Sequence, residues 1–235
     1  MSPQRPTMMS HAIPSVLAFA VASLIAAAPL MAQASYFEGF NDLGAIDLSR
    51  PGPQVLVSRG WIFRNQSQPP ATPAFFRGVL PSENSIYFSP QAGAQYLAAN
   101  RWGTGPFGGT LSNWAILPAV ANQQAGDLVG IWARSLTNDG QLEVRYSPSG
   151  GTSTGSSVAD IGDFTTLLID INPAPESGWT NFTAPVPGAG RIALRYRAVA
   201  EFGGFDPYVG MDSLSVGPPP SPPCNLPAVP QPGQT

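Results

Sequence analysis

The sequence predicts an all-β protein, an antiparallel two-sheet sandwich of jelly-roll type. Short apolar or alternating runs recur along the chain, Gly, Pro, Asn and Ser separate them, and no segment after residue 34 keeps a helical period with capping residues. Short runs at such spacing are typical of sandwiches and barrels. The predicted strands cover residues 36–40, 60–64, 85–88, 94–98, 112–117, 128–135, 141–147, 164–171, 179–184, 191–200 and 208–216.

The chain divides into three segments, of which the first (residues 1–34) is predicted to be a cleavable signal peptide. It has a basic start at Arg5, an apolar run over residues 13–30, and small residues at Ala32 and Ala34. An uncleaved membrane anchor is the alternative, because a run of about 18 residues nearly spans a bilayer. Residues 35–216 form the predicted jelly-roll domain, and residues 217–235 a disordered, proline-rich tail. We therefore expect a secreted bacterial protein with no membrane span after cleavage.

Composition excludes several classes of partner. The chain contains no lysine, and without Arg5 it carries ten arginines against 14 acidic residues. A nucleic-acid binder needs a basic stripe, which this balance does not supply. The only cysteine, Cys224, lies in the tail, so the domain holds no disulfide. We expect a monomer whose stability comes from its apolar core.

Histidine chemistry is also excluded. The only histidine, His11, lies in the predicted signal peptide. The mature chain therefore lacks the residues for Ser-His-Asp or Cys-His catalysis and for histidine-ligated zinc. No catalytic residue is predicted, although a polysaccharide-acting enzyme needs only two carboxylates and stays open as an alternative.

Two strand patterns place charge on one face and apolar side chains on the other. In residues 191–200 the charged face carries Arg191, Arg195 and Arg197, and in residues 141–147 it carries Glu143 and Arg145. This arginine stripe could bind an anionic ligand. The preferred interpretation is a solvated face with Glu–Arg pairs between strands. The Gly/Ser-rich residues 147–162 are predicted to form a long mobile hairpin loop.

Aromatic side chains are the candidates for ligand binding. Residues 100–109 form a glycine-rich loop that carries Trp102 and Phe107. An exposed tryptophan can stack on a sugar ring and donate a hydrogen bond from its indole N–H. The alternative is that these side chains cover one end of the core. The other four tryptophans lie in strand patterns and are expected in the core: Trp61, Trp114, Trp132 and Trp179.

Two acidic residues are candidates for a metal site. Alternation places Glu38 on the face of Tyr36 and Phe40, and Asp212 on the face of Tyr208 and Leu214. A carboxylate among apolar neighbours is costly unless it is paired or bound to a metal. If the first and last strands are neighbours, the two carboxylates could share a structural Ca²⁺. The alternative is that each meets an arginine or faces water at a sheet edge.

The series of strands resembles a known family. The runs LAANRWGTGPFGGTLSNWAILPAV, LVGIWARS, LEVRYS, IGDFTTLLIDINP, GWTNFTAPVPGAGRIALRYRAV and YVGMDSLSV together resemble the choice-of-anchor J domain, a bacterial extracellular module related to cleaved-adhesin and MAM-like jelly rolls. The resemblance covers residues 37–216. It implies a secreted or surface-displayed domain with adhesive or carbohydrate-binding relatives, some of which hold a structural calcium. Members usually carry a C-terminal anchoring signal, but residues 217–235 contain no hydrophobic segment or sortase-type motif.

These observations leave three functional hypotheses. The main one is a non-catalytic binding module that recognises a glycan or a cell-envelope or matrix partner. The second is a structural matrix protein without a small ligand, and the third is the two-carboxylate enzyme. A groove lined by exposed aromatics would favour binding. Closed faces would favour the structural role, and two acids across a cleft would favour the enzyme.

Overall fold

The computed structural model describes residues 36–83, 87–201 and 207–219. The chain divides into two units, residues 1–32 and 33–235, and every described residue lies in the second. The predicted signal peptide and most of the predicted tail, including Cys224, therefore lie outside the described residues. Within the described residues, no helix is both long enough and apolar enough to cross a membrane.

The described residues form eleven strands and one short helix. The helix α1 spans Gln54–Ser58, and a 3-10 turn spans Arg101–Gly103. The strands are β1 (Tyr36–Glu38), β2 (Ile62–Asn65), β3 (Phe76–Arg77), β4 (Leu97–Asn100), β5 (Gly109–Ile116), β6 (Leu128–Ser135), β7 (Gly140–Ser147), β8 (Thr166–Ile171), β9 (Thr180–Pro185), β10 (Arg191–Ala200) and β11 (Tyr208–Gly217).

The strands form two antiparallel sheets. The first sheet has the order β3-β4-β11-β6-β9, with β1 also paired to β11. The second sheet has the order β2-β5-β10-β7-β8. The predicted all-β, two-sheet jelly-roll sandwich is confirmed. The expectation that the first and last strands are neighbours is also confirmed, because Glu38 of β1 lies opposite Leu214 of β11.

Alternation along the strands builds the core between the sheets. Every second residue of the long strands faces inward, where burial of its apolar surface stabilises the sandwich. In β10 these residues are Ile192, Leu194 and Tyr196, and in β7 they are Leu142 and Val144, all buried. The facing sheet contributes Val129, Ile131, Val209, Met211 and Leu214.

A second apolar cluster covers the outer face of the first sheet. It contains Phe76, Phe88, Tyr96 and Tyr208, and the hydroxyl groups of Tyr96 and Tyr208 lie 2.9 Å apart. Tyr96 also donates to the carbonyl of Val79, which satisfies a buried polar group. Loop residues before β4 therefore pack on the sheet and close much of that face.

The outer face of the second sheet is covered by the hairpin loop between β7 and β8. We call residues 148–165 the covering segment. Phe164 of this segment packs on Trp114 of β5 with ring centroids 5.5 Å apart, and the two belong to one buried cluster. Arg195 donates to the carbonyl of Val158 over 2.7 Å. The predicted hairpin connection is confirmed and covers the charged face, whereas its mobility stays a prediction.

The predicted solvated arginine face is therefore wrong in part. Arg195 and Glu143 are only 1% and 2% exposed. The expected Glu–Arg pairs are present, because Glu143 contacts Arg145, Arg197 and Arg195 at 2.5, 3.2 and 3.5 Å. The periodic pattern identified the face correctly, but the covering segment removes its centre from water.

The predicted core positions of the tryptophans are confirmed for two of the four. Trp61 lies in the main core, and Trp114 lies under the covering segment. Trp179 is half-buried in the cluster on the outer face of the first sheet, and Trp132, which lies opposite Asp212 in the sheet, is also half-buried. Their strand patterns showed which residues alternate but not which face is covered.

Candidate functional site

The glycine-rich loop after β4 builds the candidate binding site. Asn100 ends β4, and its side chain accepts a hydrogen bond from the backbone N–H of Trp102 over 2.9 Å. This bond caps the 3-10 turn that carries Arg101 and Trp102. The next residue, Gly103, has to be a glycine, because a Cβ there would lie 2.7 Å from the amide nitrogen of Asn113. The loop then turns back at Gly105, whose φ of 80° suits glycine.

An open pocket of about 590 Å³ lies over this turn. It is lined by Leu48, Ala71, Thr72, Pro73, Arg101, Trp102, Gly105 and Pro106. The volume is within the range of small-ligand sites, and the lining is mostly apolar with a few polar groups. The pocket brings together three chain segments that lie far apart in sequence.

The side chain of Trp102 packs against the ring of Phe76. Its ring lies 4.9 Å from that of Phe76, in a tilted arrangement, and it is half-buried. Within the described residues, the indole N–H of Trp102 has no hydrogen-bond partner. The side chain therefore offers an apolar ring together with an unused donor, two features that suit contact with a sugar ring.

The two predicted ligand residues do not share one surface in the pocket. Trp102 lines it, but Phe107 is 80% exposed and is not among the lining residues. The adjacent Pro106 is a lining residue, and Arg101 donates to its carbonyl over 2.9 Å. Sequence reasoning missed Arg101 and Leu48. The position of Arg101 next to Trp102 was a usable signal, whereas nothing in the sequence places Leu48 here.

The side chain of Asn65 helps to hold the wall of the pocket. The amide of Asn65 in β2 donates to the carbonyls of Ala71 and Gly103 over 2.5 and 2.6 Å. Ala71 also donates to the carbonyl of Gly103 over 2.8 Å. Because these bonds join the segment 71–73 to the 3-10 turn, the pocket is largely formed before any ligand arrives.

Glu38, the first predicted metal ligand, is paired with an arginine. Its carboxylate lies 3.2 Å from Arg59 and accepts from the backbone N–H of Phe40 over 2.9 Å. Arg59 also pairs with Asp42. An arginine partner is what the alternative interpretation of Glu38 expected.

Asp212, the second predicted metal ligand, is fully buried among backbone donors. Its carboxylate accepts from the N–H groups of Gln91, Ala92 and Ser213 over 2.8, 3.1 and 2.6 Å. Burial raises the pKa of Asp212, and these bonds oppose that shift. Asp212 fastens the loop before β4 to the last strand.

The predicted face of Asp212 is half right. Tyr208 and Asp212 share the outer face of the first sheet, but Leu214 lies in the core between the sheets. The register of β11 shifts between Asp212 and Ser215, and Ser213 has a φ of 48°. This bulge turns the following residues to the opposite face.

The calcium site stays a prediction. Within the described residues, no group of three or more acidic, histidine or cysteine side chains could hold a metal ion. Thermal unfolding of the intact chain in millimolar calcium and in chelator tests it. A calcium site requires a higher melting temperature with the ion and loss of that increase in Glu38→Gln. The Arg59 pair alone would give equal curves.

Comparison with known proteins gives a likeness of fold. The K2 cleaved adhesin domain of Lys-gingipain superposes with a TM-score of 0.50 at 15% identity, over 78% of this chain and 99% of that chain. The likeness shows a shared fold. The K1 cleaved adhesin domain of Lys-gingipain from Porphyromonas gingivalis W83 has a TM-score of 0.49 at 15% identity, over 79% and 98% of the two chains. The carbohydrate-binding module TmCBM61, solved with β-1,4-galactotriose, has a TM-score of 0.42 at 13% identity, over 74% and 98%.

No protein-family model and no curated protein matches the chain. The likeness to a cleaved adhesin domain supports the jelly-roll sandwich that the choice-of-anchor J resemblance implies. It does not show membership of that family.

Proposed function

We propose that this protein is a secreted, non-catalytic binding module that recognises a glycan through the pocket at Trp102. The observation that carries the proposal is the ring of Trp102, which packs against Phe76 and lines an open pocket, and whose indole N–H has no partner within the described residues. Apolar ring contact fixes the plane of a sugar, and directed hydrogen bonds fix its orientation.

The lining of the pocket favours binding over the two rival hypotheses. Its polar groups, those of Arg101 and Thr72, lie at an apolar surface that includes Leu48 and Pro73. None of its lining residues within the described part of the chain is acidic, so a pair of carboxylates does not face this pocket. A purely structural role would need no preformed pocket.

Secretion and family membership belong to the same proposal. The signal-peptide pattern of residues 1–34 and the resemblance to choice-of-anchor J domains both suit an exported, adhesin-like module. A glycan of the cell envelope or of an extracellular matrix is then the partner that such a protein would meet.

Replacing Trp102 with alanine is the test. We expect binding of the intact chain to neutral oligosaccharides on a glycan array to fall at least about tenfold, because both the stacking surface and the indole donor are lost. Leu48→Ser, at a residue that is 38% exposed, should weaken binding with little effect on folding.

Trp132→Ala is the matched control. Trp132 is also half-buried, but it lies in β6 and is not among the residues of the pocket. Its replacement should leave glycan binding unchanged. Retained binding in both Trp102→Ala and Leu48→Ser, with melting temperatures that show folded proteins, would refute the proposal.

A further inference from the structure

A second, polar groove includes Asn65, the residue whose amide donates to Ala71 of the Trp102 pocket. We call it the polar groove: an open space of about 580 Å³ lined by Arg64, Asn65, Gln66, Thr152, Ser153, Thr154 and Gly155. One wall is the edge strand β2 with the residue after it, and the other is the start of the covering segment. Among its described lining residues are a cation, two amides and three hydroxyl groups, and none is an acid.

Arg64 is an unpaired cation in this groove. It is exposed, and within the described residues it has no ion pair and no hydrogen bond. Arg64 lies opposite Trp114 in the sheet, and Trp114 lies opposite Arg195. Glu143 already pairs with three arginines, of which Arg195 is one. Trp114 lies between Arg195 and Arg64 in the sheet, so this carboxylate does not neutralise Arg64. The guanidinium of Arg64 therefore remains available for a carboxylate from outside, which it can meet with two parallel hydrogen bonds.

The rest of the groove offers groups that suit sugar hydroxyls. The hydroxyl group of Thr152, a half-buried residue, makes no hydrogen bond within the described residues. A ligand that carries both a hydroxyl group and a carboxylate can bind Thr152 and Arg64 together.

The groove is held in shape by its own hydrogen bonds. The amide nitrogen of Gln66 donates to the carbonyl of Gly155, which joins its two walls. Asp163 accepts from the backbone N–H of Ser153 over 2.8 Å, and its own N–H donates back to the carbonyl of Ser153 over 2.8 Å. These contacts anchor the covering segment and limit the reorganisation that binding requires.

Asn65 joins the polar groove to the Trp102 pocket. It lines the groove, and its amide donates to Ala71 and Gly103 of the pocket wall. Asn65 therefore links a wall of the groove to the segments that carry the pocket.

We propose that the polar groove binds the carboxylate of a uronic acid, so that the ligand of this module is an acidic oligosaccharide. Arg64 holds the carboxylate, and Thr152 binds a hydroxyl group of the same sugar. The proposal rests on the proposed function, which it extends by naming the chemical class of the glycan.

The test measures calorimetric affinities of the intact chain for trigalacturonate, trimannuronate and the methyl ester of each, at low and high salt. At least one acid should bind about tenfold more tightly than its uncharged ester, because a charge-assisted pair is lost in the ester. The preference should shrink in high salt, since Arg64 is exposed. Arg64→Gln should abolish the preference, and Arg50→Gln, at an exposed arginine that pairs with Asp47, should retain it.

The outcomes separate this inference from the proposed function. If neither acid binds better than its ester, or if Arg64→Gln keeps the preference, the inference is wrong, while loss of neutral glycan binding in Trp102→Ala would still support the function. If Arg64→Gln removes the preference and Trp102→Ala changes no affinity, the groove assignment stands and the function assigned to Trp102 fails.

Discussion

Replacing Glu143 with glutamine is expected to destabilise the fold by about 3–5 kcal/mol, the cost of breaking a buried ion pair on one side. Glu143 is the shared carboxylate of Arg145, Arg195 and Arg197. Burial lowers the pKa of Arg195 to about 10, and Glu143 opposes that shift. Without the carboxylate, a desolvated cation would remain under the covering segment. Urea unfolding of the intact chain measures the loss.

Asp170→Asn is the control for this change, because Asp170 lies opposite Glu143 in β8 but is exposed. We expect it to cost less than about 1 kcal/mol. Equal losses in the two variants would contradict the buried cluster.

The same cluster predicts how stability depends on pH. Burial alone would raise the pKa of Glu143, but its three arginines outweigh burial and hold that pKa below its ordinary value. The stability that Glu143 contributes is therefore present above the ordinary glutamate pKa of about 4.3, and it is lost as the pH falls through the lowered pKa. Glu143→Gln should flatten this acid limb.

Replacing Phe164 with alanine is expected to cost about 3–5 kcal/mol, as for other fully buried aromatic side chains. Phe164 is the main apolar contact between the covering segment and the sheet, and it packs on Trp114. Its loss should also loosen the segment, which hydrogen exchange can detect at Ser153 and Asp163.

Leu167→Ala is the comparison for Phe164. Leu167 lies in β8, three residues after Phe164, and is 43% exposed. Its truncation should therefore lower the free energy of unfolding by less than about 1 kcal/mol. A small loss in Phe164→Ala, with unchanged hydrogen exchange, would mean that the covering segment does not depend on this contact.

Strands with an unbroken period of two were predictable from sequence. Residues 128–135 and 191–200 were predicted with the bounds that β6 and β10 have in the structure. Bulges and very short elements were not predictable. The two-residue strand β3 and the helix α1 carry too few residues for a period, and the bulge at Ser213 reverses the face of Leu214 without any change in residue pattern.

The residues that share one face of a strand were predictable from sequence, but the segments that cover that face were not. Alternation correctly separated Arg195 from Leu194, yet it could not show that residues 148–165 fold over Arg195. A lid formed by an irregular loop leaves no periodic signal. The same limit explains Trp132, whose outer face is only partly covered.

The candidate site was half predictable. Trp102 was identifiable because a tryptophan within a glycine-rich loop seldom belongs to a strand. Leu48 and Pro73 were not identifiable, since they reach the pocket through tertiary contacts. The polar groove was even less predictable from the sequence, because the hydrogen bond that joins its walls links Gln66 to Gly155, 89 residues away.

The central claim is that Trp102 binds a glycan, and the indole N–H signals of the five tryptophans test it most directly. In an NMR titration of the intact chain with the neutral oligosaccharide that the array selects, the indole signal of Trp102 should shift and saturate. Those of Trp61, Trp114 and Trp179, which already donate to Tyr36, Ser112 and Ser89, should stay in place. A saturating shift at Trp132 alone, or no shift at Trp102 under conditions where the glycan is bound, would contradict the account.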